Sequence, residues 1–560
     1  MRKKILFVTL HSINLPGGVQ STINTLLEDE SNDYAVLELS KEEFKESTKG
    51  KTKIFGTKHL ADNCSKEELY SILDKVLQKF TPDIIHCHNL SYSFESKKAF
   101  LIFDYFKSRG FVIIEHIHHA GVRRKKRISK ILSKDFDSII CVSKFAQNEI
   151  QKCSGKTTHV VYNSLNPADF PPHLKKTNSS KTPFTFLFPS RAIRISTGEI
   201  GEQKQFKTVL KALSILKKKG INCQVIVPSL GAYHENKGVF DKFEKELKKY
   251  GVSEMVKVYP KPLVQNDMYK FYSIGDAVLF PSLKESFGLV IIEAQQMGLP
   301  LIVSDSGASL ELVKNNQTGL VFKQKSALDL FEKMLSLITN PLLCNKLSKN
   351  GKKFVKNFYF ANYIKSINKL WEKLIPKERK FILIRHGETD FNVKGLYTGW
   401  LESKLTPLGI NQAKKIGSFL KQEKINAIYV SPLKRSLKTA QLVFPDKRIV
   451  VDELLKEINC GDFSGKDRVW VGGNFPLMAS IIDNLTFYPN GESVKEFSKR
   501  VKLFLEKLPK TGTIVIVSHE GVNKMILSLI LNIDLNKISR NLNDEIIIIE
   551  NGKYSVKKIK

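Results

Sequence analysis

Up to about residue 375, short runs of β-branched and aromatic residues alternate with segments of helical periodicity. This alternation is typical of parallel β-sheets whose strands are joined by crossover helices. The runs of the first half are Ile5–Leu10, Asp83–Cys87, Phe111–Glu115 and Ser138–Val142, and those of the second half are Phe184–Pro189, Cys223–Val227, Val256–Tyr259, Ala277–Phe280 and Leu301–Val303. A stretch rich in Pro, Asn and Ser begins at Asn163, between the two series. We therefore predict two doubly wound α/β lobes joined by a linker.

A third α/β series opens at Phe381–Ile384, after the short charged joint Pro376–Lys380. The chain has 560 residues. Because single hydrophobic cores stop growing at about 250–300 residues, one compact domain is excluded. We predict an α/β protein of three units, with boundaries at residues 1–163, 184–375 and 380–560.

The chain carries 89 Lys and Arg against 56 Asp and Glu, which gives a formal net charge of +33. Such a charge attracts phosphates, anionic lipid and nucleic acid. The excess is spread along the chain, and there is neither an aromatic-interleaved basic motif nor zinc-finger spacing, so we expect no nucleic-acid partner. The basic segment Val122–Ser133 is a candidate for peripheral contact with an anionic membrane.

The seven cysteines form no CxxC pair, and the chain lacks an uninterrupted run of roughly 18 apolar residues. The start, Met1–Leu10, imitates a signal peptide, but its apolar part is short and runs into His11 and Asn14, so we interpret it as a first strand. The expected location is the reducing cytosol. Peripheral attachment at the inner face of the membrane is the alternative.

The segment Phe280–Gly298 (FPSLKESFGLVIIEAQQMG) is the most informative string of the first two lobes. A strand ends at Phe280, a Pro-Ser turn follows, and Phe287-Gly288-Leu289 opens a helix. The free N–H groups and the dipole at the start of such a helix favour a diphosphate. Glu285 and Glu293 are separated by seven residues, so one can meet a sugar and the other a ribose.

With this string the sequence resembles the retaining glycosyltransferases of the GT-B fold, family four, whose Glu-x7-Glu signature it matches. The resemblance covers about residues 1–375. It also includes Leu15-Pro16-Gly17-Gly18, Pro189-Ser190-Arg191, Asp276–Ser282 and Gly298-Leu299-Pro300. It implies two Rossmann-like lobes, of which the first, 1–163, faces the acceptor and the second, 184–375, holds a nucleotide-sugar donor.

The resemblance also implies roles for single residues. Backbone at Gly17 and Gly18 would approach the donor phosphates, which only residues without a Cβ permit. Arg191 and Lys204 would grip the diphosphate as its negative charge grows in the transition state. The residues implied to bind the donor are Gly17, Gly18, Arg191, Lys204, Phe287, Gly288, Leu289 and Glu293, and Glu285 is implied as a catalytic group.

A histidine near the end of a first-lobe strand usually faces the acceptor and the sugar in this family. The string HIHH offers His116, His118 and His119, and spacing alone does not choose among them; we favour His118 as the catalytic one. The chain departs from the family at Ser190-Arg191, where Gly-Arg is usual, so Arg194 is an alternative to Arg191. No Asp-x-Asp motif stands at a strand end, and we expect transfer to need neither a metal nor another cofactor.

After residue 380 four fragments carry a second set of chemical groups. Lys380–Asn392 (KFILIRHGETDFN) is a strand that ends in Arg385-His386-Gly387-Glu388. A histidine at that edge of a parallel sheet can attack phosphorus as a neutral imidazole. The other three fragments are Ser431-Pro432-Leu433-Lys434-Arg435, Glu457 in KEINCGDFSG, and Ser518-His519-Glu520-Gly521. Two arginines and a second histidine can surround a phosphoryl group, and a carboxylic acid can protonate its leaving oxygen.

These fragments resemble the histidine phosphatase superfamily, which includes the cofactor-dependent phosphoglycerate mutases, over about Lys380–Lys560. The resemblance implies His386 as nucleophile and Glu457 as general acid. The phosphate ligands it implies are Arg385, Asn392, Arg435 and His519. Family members often have Ser-His-Gly where this chain has Glu520 after the histidine, and an acidic neighbour disfavours very anionic substrates. The length of about 180 residues leaves little room for a substrate-enclosing insertion, so we favour hydrolysis over mutase activity.

The sequence thus predicts a bifunctional enzyme that joins retaining glycosyl transfer to phosphomonoester hydrolysis, in glycoconjugate or cell-envelope polysaccharide synthesis. The expected partners are a nucleotide-sugar donor, a sugar, phosphorylated or lipid-linked acceptor, and a phosphomonoester. One alternative is a membrane-surface or scaffold module that carries a phosphatase. A second alternative is a phosphatase that acts on an unrelated sugar-phosphate precursor.

Overall fold

A computed structural model describes residues 2–9, 12–14, 18–39, 45–56, 65–90, 98–119, 136–154, 158–171, 183–190, 202–229, 237–262, 268–474 and 488–559. Within these ranges the strands form three separate sheets. The domain boundaries 1–163, 184–375 and 380–560 stay predictions.

The first sheet has eight strands in the order β3-β4-β2-β1-β5-β6-β7-β8. Only the edge strand β3 is antiparallel to its neighbour; the other pairs are parallel. Their bounds are β1 Lys4–Thr9, β2 Asp33–Glu38, β3 Lys45–Lys49, β4 Thr52–Gly56, β5 Ile84–His88, β6 Val112–Ile117, β7 Ser138–Cys141 and β8 His159–Val160. The fully buried central strands explain the near-continuous apolar runs of the sequence.

The helices of this lobe that the structure describes are Gly18–Leu27, Lys66–Lys79, Lys98–Ser108 and Lys144–Ser154. The second of them begins at a capping box, because the Ser65 hydroxyl accepts from the Glu68 N–H and the Glu68 carboxylate accepts from the Ser65 N–H.

The second sheet has six parallel strands in the order β11-β10-β9-β12-β13-β14. Their bounds are β9 Phe184–Leu187, β10 Cys223–Ser229, β11 Val256–Pro262, β12 Ala277–Phe280, β13 Leu301–Ser304 and β14 Leu320–Phe322. The helices described around it are Phe206–Lys218, Lys237–Tyr250, Met268–Tyr272, Leu289–Met297, Ser309–Leu312, Ala327–Thr339 and Pro341–Phe354. From β9 the chain first adds β10 and β11 on one side and then β12, β13 and β14 on the other. The carboxyl ends of β9 and β12 therefore flank the crevice where such sheets bind ligands.

The helix Phe360–Leu374 follows the second lobe in sequence but packs against the first. Its Trp371 side chain is fully buried. The centroid of the Trp371 ring lies 6.5 Å from the ring centroids of both Phe7 and Tyr34. Truncation of a buried aromatic residue of this size typically costs about 3–5 kcal/mol. The chain therefore crosses between the lobes twice, at the linker and at this helix.

The third sheet has the order β17-β16-β18-β15-β19-β20, with β19 and β20 antiparallel to their neighbours. Its strands are β15 Arg379–Arg385, β16 Ala427–Val430, β17 Val450–Val451, β18 Gly512–Ser518, β19 Glu545–Glu550 and β20 Lys553–Lys558. Its described helices are Asp390–Val393, Pro407–Phe419, Lys434–Val443, Arg468–Asn474, Val494–Glu506 and Glu520–Leu531. Arg385 pairs with Ser518 in the register of β15 and β18, so the residues that follow both strands meet at one edge.

The third domain contacts the first lobe through polar groups. The Tyr429 hydroxyl donates to the Arg109 carbonyl at 3.0 Å, and an Arg448 guanidinium nitrogen lies 3.1 Å from an Asp104 carboxylate oxygen. Among the helices that the structure describes, none combines the length and the apolar character needed to cross a membrane.

Candidate active sites

The turn after β12 is held in one conformation by close backbone contacts. Gly288 has a φ of 94°, a conformation that side chains with a Cβ rarely adopt. A Cβ on Gly307 would lie 2.5 Å from the Glu285 carbonyl oxygen, so the next loop can approach Glu285 only because that residue is glycine. The helix Leu289–Met297 then starts beside this turn, where the Ile291 N–H donates to the Gly288 carbonyl and no side chain caps the helix.

Lys204, which the resemblance implies as a diphosphate ligand, lies at this turn. Its Nζ lies 2.8 Å from the Ser282 Oγ and 2.8 Å from Glu285 Oε2. Its ammonium also lies 5.0 Å from the centre of the Phe280 ring, a cation–π distance. The ammonium is therefore positioned at the carboxyl end of β12, and Glu285 offsets its charge.

Glu293, the second glutamate of the signature, is buried in the described structure. The Tyr272 hydroxyl donates to Glu293 Oε2 at 2.8 Å. Burial raises the pKa of the Glu293 carboxyl to about 7, because the charged form loses its hydration.

The side chains of Phe287 and Leu289 pack into the apolar core beneath the turn. The Phe287 ring centroid lies 6.1 Å from that of Tyr162 and 6.0 Å from that of Phe358. The Phe287 side chain is therefore held in the core, and only its main-chain groups face the turn. Ser143 also supports the turn from the first lobe, since its hydroxyl donates to the Ser286 carbonyl.

The three histidines of HIHH have different surroundings. His116 and His118 are buried, whereas His119 is exposed. His118 Nε2 lies 3.0 Å from His88 Nδ1, and the His118 N–H donates to Asn89 Oδ1 at 2.7 Å. Desolvation lowers the pKa of His119, and the Glu285 carboxylate opposes that shift, which indicates that His119 lies near Glu285.

Several predicted residues of the transferase site lie outside the described residues: Gly17, Arg191 and the alternative Arg194, together with the basic segment Val122–Ser133. Gly18 is described as the first residue of the helix Gly18–Leu27. The roles of all these residues, Gly18 included, stay predictions.

In the third domain His386 follows β15 and is almost fully buried. Its Nδ1 lies 2.9 Å from the Gly387 carbonyl oxygen. A carbonyl can only accept, so Nδ1 carries the proton and Nε2 keeps its lone pair. Burial, with the charges of Arg435 and Arg385, lowers the pKa of His386 well below its usual value. The imidazole is therefore neutral near pH 7, as a nucleophile must be.

Three donors of this site lack a hydrogen-bond partner in the described structure. They are Arg385 Nε, Arg435 Nε and His519 Nδ1. His519 Nε2 lies 2.7 Å from the Ser431 Oγ, so with Ser431 as donor the imidazole proton sits on Nδ1. The His386 and His519 ring centroids are 5.3 Å apart. Buried donors without partners are rare, and together these three suit an oxyanion beside His386.

Hydrogen bonds from the other guanidinium nitrogens of Arg385 and Arg435 hold these two side chains in place. Arg435 donates to the carbonyls of Leu401 and Gly399 at 2.8 Å each. Arg385 Nη1 donates to the Asn541 carbonyl at 2.8 Å. Asn392 accepts from the Thr389 N–H through its Oδ1, so only its NH₂ group is available to donate to a phosphate.

Glu457 lies against the start of the helix Glu520–Leu531. Its Oε2 accepts from the Gly521 N–H at 3.2 Å and its Oε1 from the Ile458 N–H at 2.9 Å. A Cβ on Gly521 would come within 2.4 Å of Oε1, so a larger residue there would displace the Glu457 carboxylate. Burial raises the pKa of Glu457, which favours the protonated form that a general acid requires.

Sequence reasoning missed several supports of these sites. Trp400 donates from Nε1 to the Glu457 carbonyl at 2.7 Å, and Asn543 donates to the His386 carbonyl at 2.6 Å. It also missed His86 and His88, which lie beside His116 and His118. The period-two pairs HCH and HIH on consecutive strands were the available signal, because alternate residues of a strand share one face.

Comparison with known families agrees with this arrangement. Residues 381–558 match the Histidine phosphatase superfamily (branch 1), residues 180–354 match Glycosyl transferases group 1, and residues 66–169 match Glycosyltransferase Family 4. The predicted resemblance to both families is confirmed.

Curated relatives match the third domain. Phosphoserine phosphatase 1 of Hydrogenobacter thermophilus is 33% identical over 166 residues, 28% of this chain and 79% of that protein. The adenosylcobalamin/alpha-ribazole phosphatase of Escherichia coli is 31% identical over 160 residues, 26% of this chain and 76% of that protein. A 2,3-bisphosphoglycerate-dependent phosphoglycerate mutase of Methylobacterium sp. is 33% identical over 171 residues, 28% of this chain and 81% of that protein.

Solved structures share the fold of the first two lobes. Sucrose-phosphate synthase from Thermosynechococcus elongatus has a TM-score of 0.53 and 17% identity, over 67% of this chain and 99% of that one. Anabaena Alr3699/HepE in complex with UDP and glucose has a TM-score of 0.51 and 16% identity, over 66% of this chain and 100% of that one. The predicted fold class, GT-B lobes followed by a histidine-phosphatase α/β domain, is confirmed.

Proposed function

We propose that this chain, which belongs to the histidine phosphatase superfamily through its C-terminal domain and carries glycosyltransferase domains before it, catalyses two specific reactions. One is the transfer of a sugar from a nucleotide sugar with retention of configuration. The other is the hydrolysis of a phosphomonoester through a phosphohistidine. The observation that carries the proposal is the free lone pair on His386 Nε2 beside three buried donors without partners.

In the hydrolytic reaction, His386 Nε2 attacks phosphorus and the bond from phosphorus to the ester oxygen breaks. Glu457 gives its proton to the departing oxygen, so an alcohol leaves. Arg385, Arg435 and His519 donate to the phosphoryl oxygens as charge develops on them. Water then attacks phosphorus, the nitrogen–phosphorus bond breaks, and Glu457 recovers a proton from that water. The sum is one phosphomonoester and one water converted to one alcohol and one phosphate.

Hydrolysis suits this domain better than mutase chemistry. Two of the relatives reported above are phosphatases. The acidic Glu520 beside Arg385 disfavours substrates with a second phosphate. We propose a monophosphorylated sugar, alcohol or glycoside as the substrate class.

For the transferase, the donor would lie at the carboxyl ends of β9 and β12. Lys204 would exchange its contact with Glu285 for the donor diphosphate, since a dianion competes well for an ammonium group. Glu285 would then be free to meet the sugar. The Anabaena protein of the same fold holds UDP and glucose, which supports a nucleotide sugar as donor. Transfer is proposed to need no metal, because Lys204 and Arg191 would neutralise the leaving diphosphate.

We place these reactions in glycoconjugate or envelope polysaccharide synthesis, with the phosphatase acting on a product or precursor of the transferase. Thermal stabilisation by a panel of nucleotide sugars tests the donor class first, because a ligand at 100 times its dissociation constant adds about 2.7 kcal/mol of stability. The wild type should be stabilised by at least one nucleotide sugar and Lys204→Ala should lose the effect. Stabilisation of neither protein by any nucleotide sugar contradicts the donor proposal.

A further inference from the structure

Four histidines line one face of the first sheet. His86 and His88 lie on β5, His116 lies on β6, and His118 follows it directly. In the strand register His88 pairs with His116, so the four rings form one layer. All four are buried, with at most 8% of their surface exposed.

The rings contact one another rather than water. The His86 and His88 ring centroids are 4.7 Å apart, and those of His116 and His118 are 4.4 Å apart. Phe7 and Trp371 cover the layer on the side of the helix Phe360–Leu374, with centroids 5.5 Å and 5.8 Å from that of His86.

The hydrogen bonds within this layer leave half of the ring nitrogens without partners. His86 Nε2 lies 3.3 Å from His116 Nδ1, and His88 Nδ1 lies 3.0 Å from His118 Nε2. The other nitrogen of each ring is buried and has no partner in the described structure. A neutral imidazole has one donor and one acceptor nitrogen, so the four rings cannot satisfy one another in pairs, and leaving such groups unpaired costs free energy.

We propose that His86, His88 and His116 form a binding site for one divalent transition-metal ion of the zinc class. One ring nitrogen from each of the three lies within 4.8 Å of the corresponding nitrogens of the other two. Tetrahedral Zn²⁺ with bonds of about 2.0–2.1 Å to nitrogen requires ligand atoms about 3.3–3.4 Å apart. The pair His86 and His116 already has that separation, and the unpartnered Nε2 of His88 would be the third ligand atom.

The chemistry of the ligands favours this class of ion. Neutral imidazoles are the ligands of Zn²⁺, Cu²⁺ and Ni²⁺, whereas Mg²⁺ and Ca²⁺ take oxygen atoms.

His118 would support the site from outside the three ligands. A histidine that binds a metal through one nitrogen usually has the other held by a neighbouring group. His88 has this arrangement, because its Nδ1 lies against His118 while its Nε2 has no partner. The ion would then fix His88 and, through it, the orientation of His118, the histidine expected to face the acceptor. It is a structural ion within the first lobe, separate from the donor diphosphate.

The test uses the full chain, stripped with a chelator and then dialysed against Co²⁺ or Zn²⁺ alone. We expect about one equivalent of metal per chain by elemental analysis, and the intense visible absorption of tetrahedral Co²⁺. His86→Gln/His116→Gln should lose both signals, whereas His159→Gln, a histidine of β8 outside the layer, should keep them. His118→Gln should weaken Co²⁺ binding about 10–100-fold, as expected when a neighbour of a ligand is lost.

Two results overturn the proposal. One is a wild-type protein that binds no Co²⁺ or gives only the weak spectrum of octahedral Co²⁺, a measurement that needs no variant to fold. The other is metal content and spectrum unchanged in His86→Gln/His116→Gln. A rise in melting temperature with Zn²⁺ in the wild type and in His159→Gln, but not in the double variant, supports it.

Discussion

The Glu520 carboxylate lies 2.9 Å from the Arg385 guanidinium, between Oε2 and Nη1. The same Nη1 donates to the Asn541 carbonyl, so one arginine that is expected to bind phosphate already has two acceptors. A phosphate that reaches Arg385 must therefore compete with a carboxylate or share the guanidinium with it. This relationship gives the first prediction.

Glu520→Gln should lower the KM for a simple phosphomonoester about 3–10-fold with little change in kcat. The substitution removes one negative charge near the incoming dianion, and pairs with this partial exposure are worth on the order of 1 kcal/mol. Inhibition by inorganic phosphate should strengthen by a similar factor. Glu453→Gln, which removes an exposed pair with Lys456, is the control. Equal KM and phosphate inhibition in wild type and Glu520→Gln would show that Glu520 does not affect phosphate binding.

His386→Ala should abolish turnover of p-nitrophenyl phosphate in the absence of added metal. The wild type quenched in alkali during turnover should carry phosphate on His386, detected by mass spectrometry, because phosphohistidine is labile to acid. Full activity of His386→Ala, or phosphate on another residue, would contradict the nucleophile assignment.

Glu457→Gln should slow substrates with poor leaving groups about 10²–10⁴-fold and p-nitrophenyl phosphate much less, since only the former need the proton. The pKa of Glu457 is raised by burial, so the wild-type rate on alkyl phosphates should fall as the pH rises through that raised pKa. The rate of the Gln variant should not show this fall. A comparison of pH profiles for an alkyl and an aryl phosphate tests it, and identical leaving-group dependence in both proteins would rule out general-acid catalysis by Glu457.

Glu293 should make the stability of the second lobe depend on pH. The carboxyl has a pKa of about 7 in the folded protein, against an ordinary value of 4.5. Between these two values the folded state binds more protons than the unfolded state. The protonated Glu293 carboxyl therefore contributes stability below pH 4.5, and this contribution, about 3 kcal/mol at most, is lost as the pH rises to 7. The melting temperature of wild type relative to Glu293→Gln should fall across this window and then level off. Glu332→Gln, an exposed residue of the same lobe, should show no such change, and a wild-type curve parallel to Glu293→Gln would refute the shift.

The sequence predicted the fold, and it also indicated which residues of the proposed phosphatase site lie close together, because both inferences depend on where strands end. The run Ile5–Leu10 corresponds to β1 at Lys4–Thr9, a shift of one residue. His386 and His519 follow strands that pair in register, so their proximity could be inferred from the two strand ends alone.

What the sequence could not predict depends on packing between distant segments. The layer of four histidines requires the register of β5 with β6, and the sequence does not give it. Nothing local indicates that Trp371 belongs to the core of the first lobe, because its helix follows the second. The burial of the Phe287 side chain needs the neighbouring Tyr162 and Phe358, which lie far away in sequence.

The central claim is that one chain holds two independent active sites. The most direct test assays both activities in the wild type, in Lys204→Ala and in His386→Ala, with the donor identified by thermal stabilisation. Lys204→Ala should lose transfer and keep phosphatase activity, and His386→Ala should lose phosphatase activity and keep transfer. Loss of both activities in either variant while the protein remains folded, or loss of neither, would contradict the account.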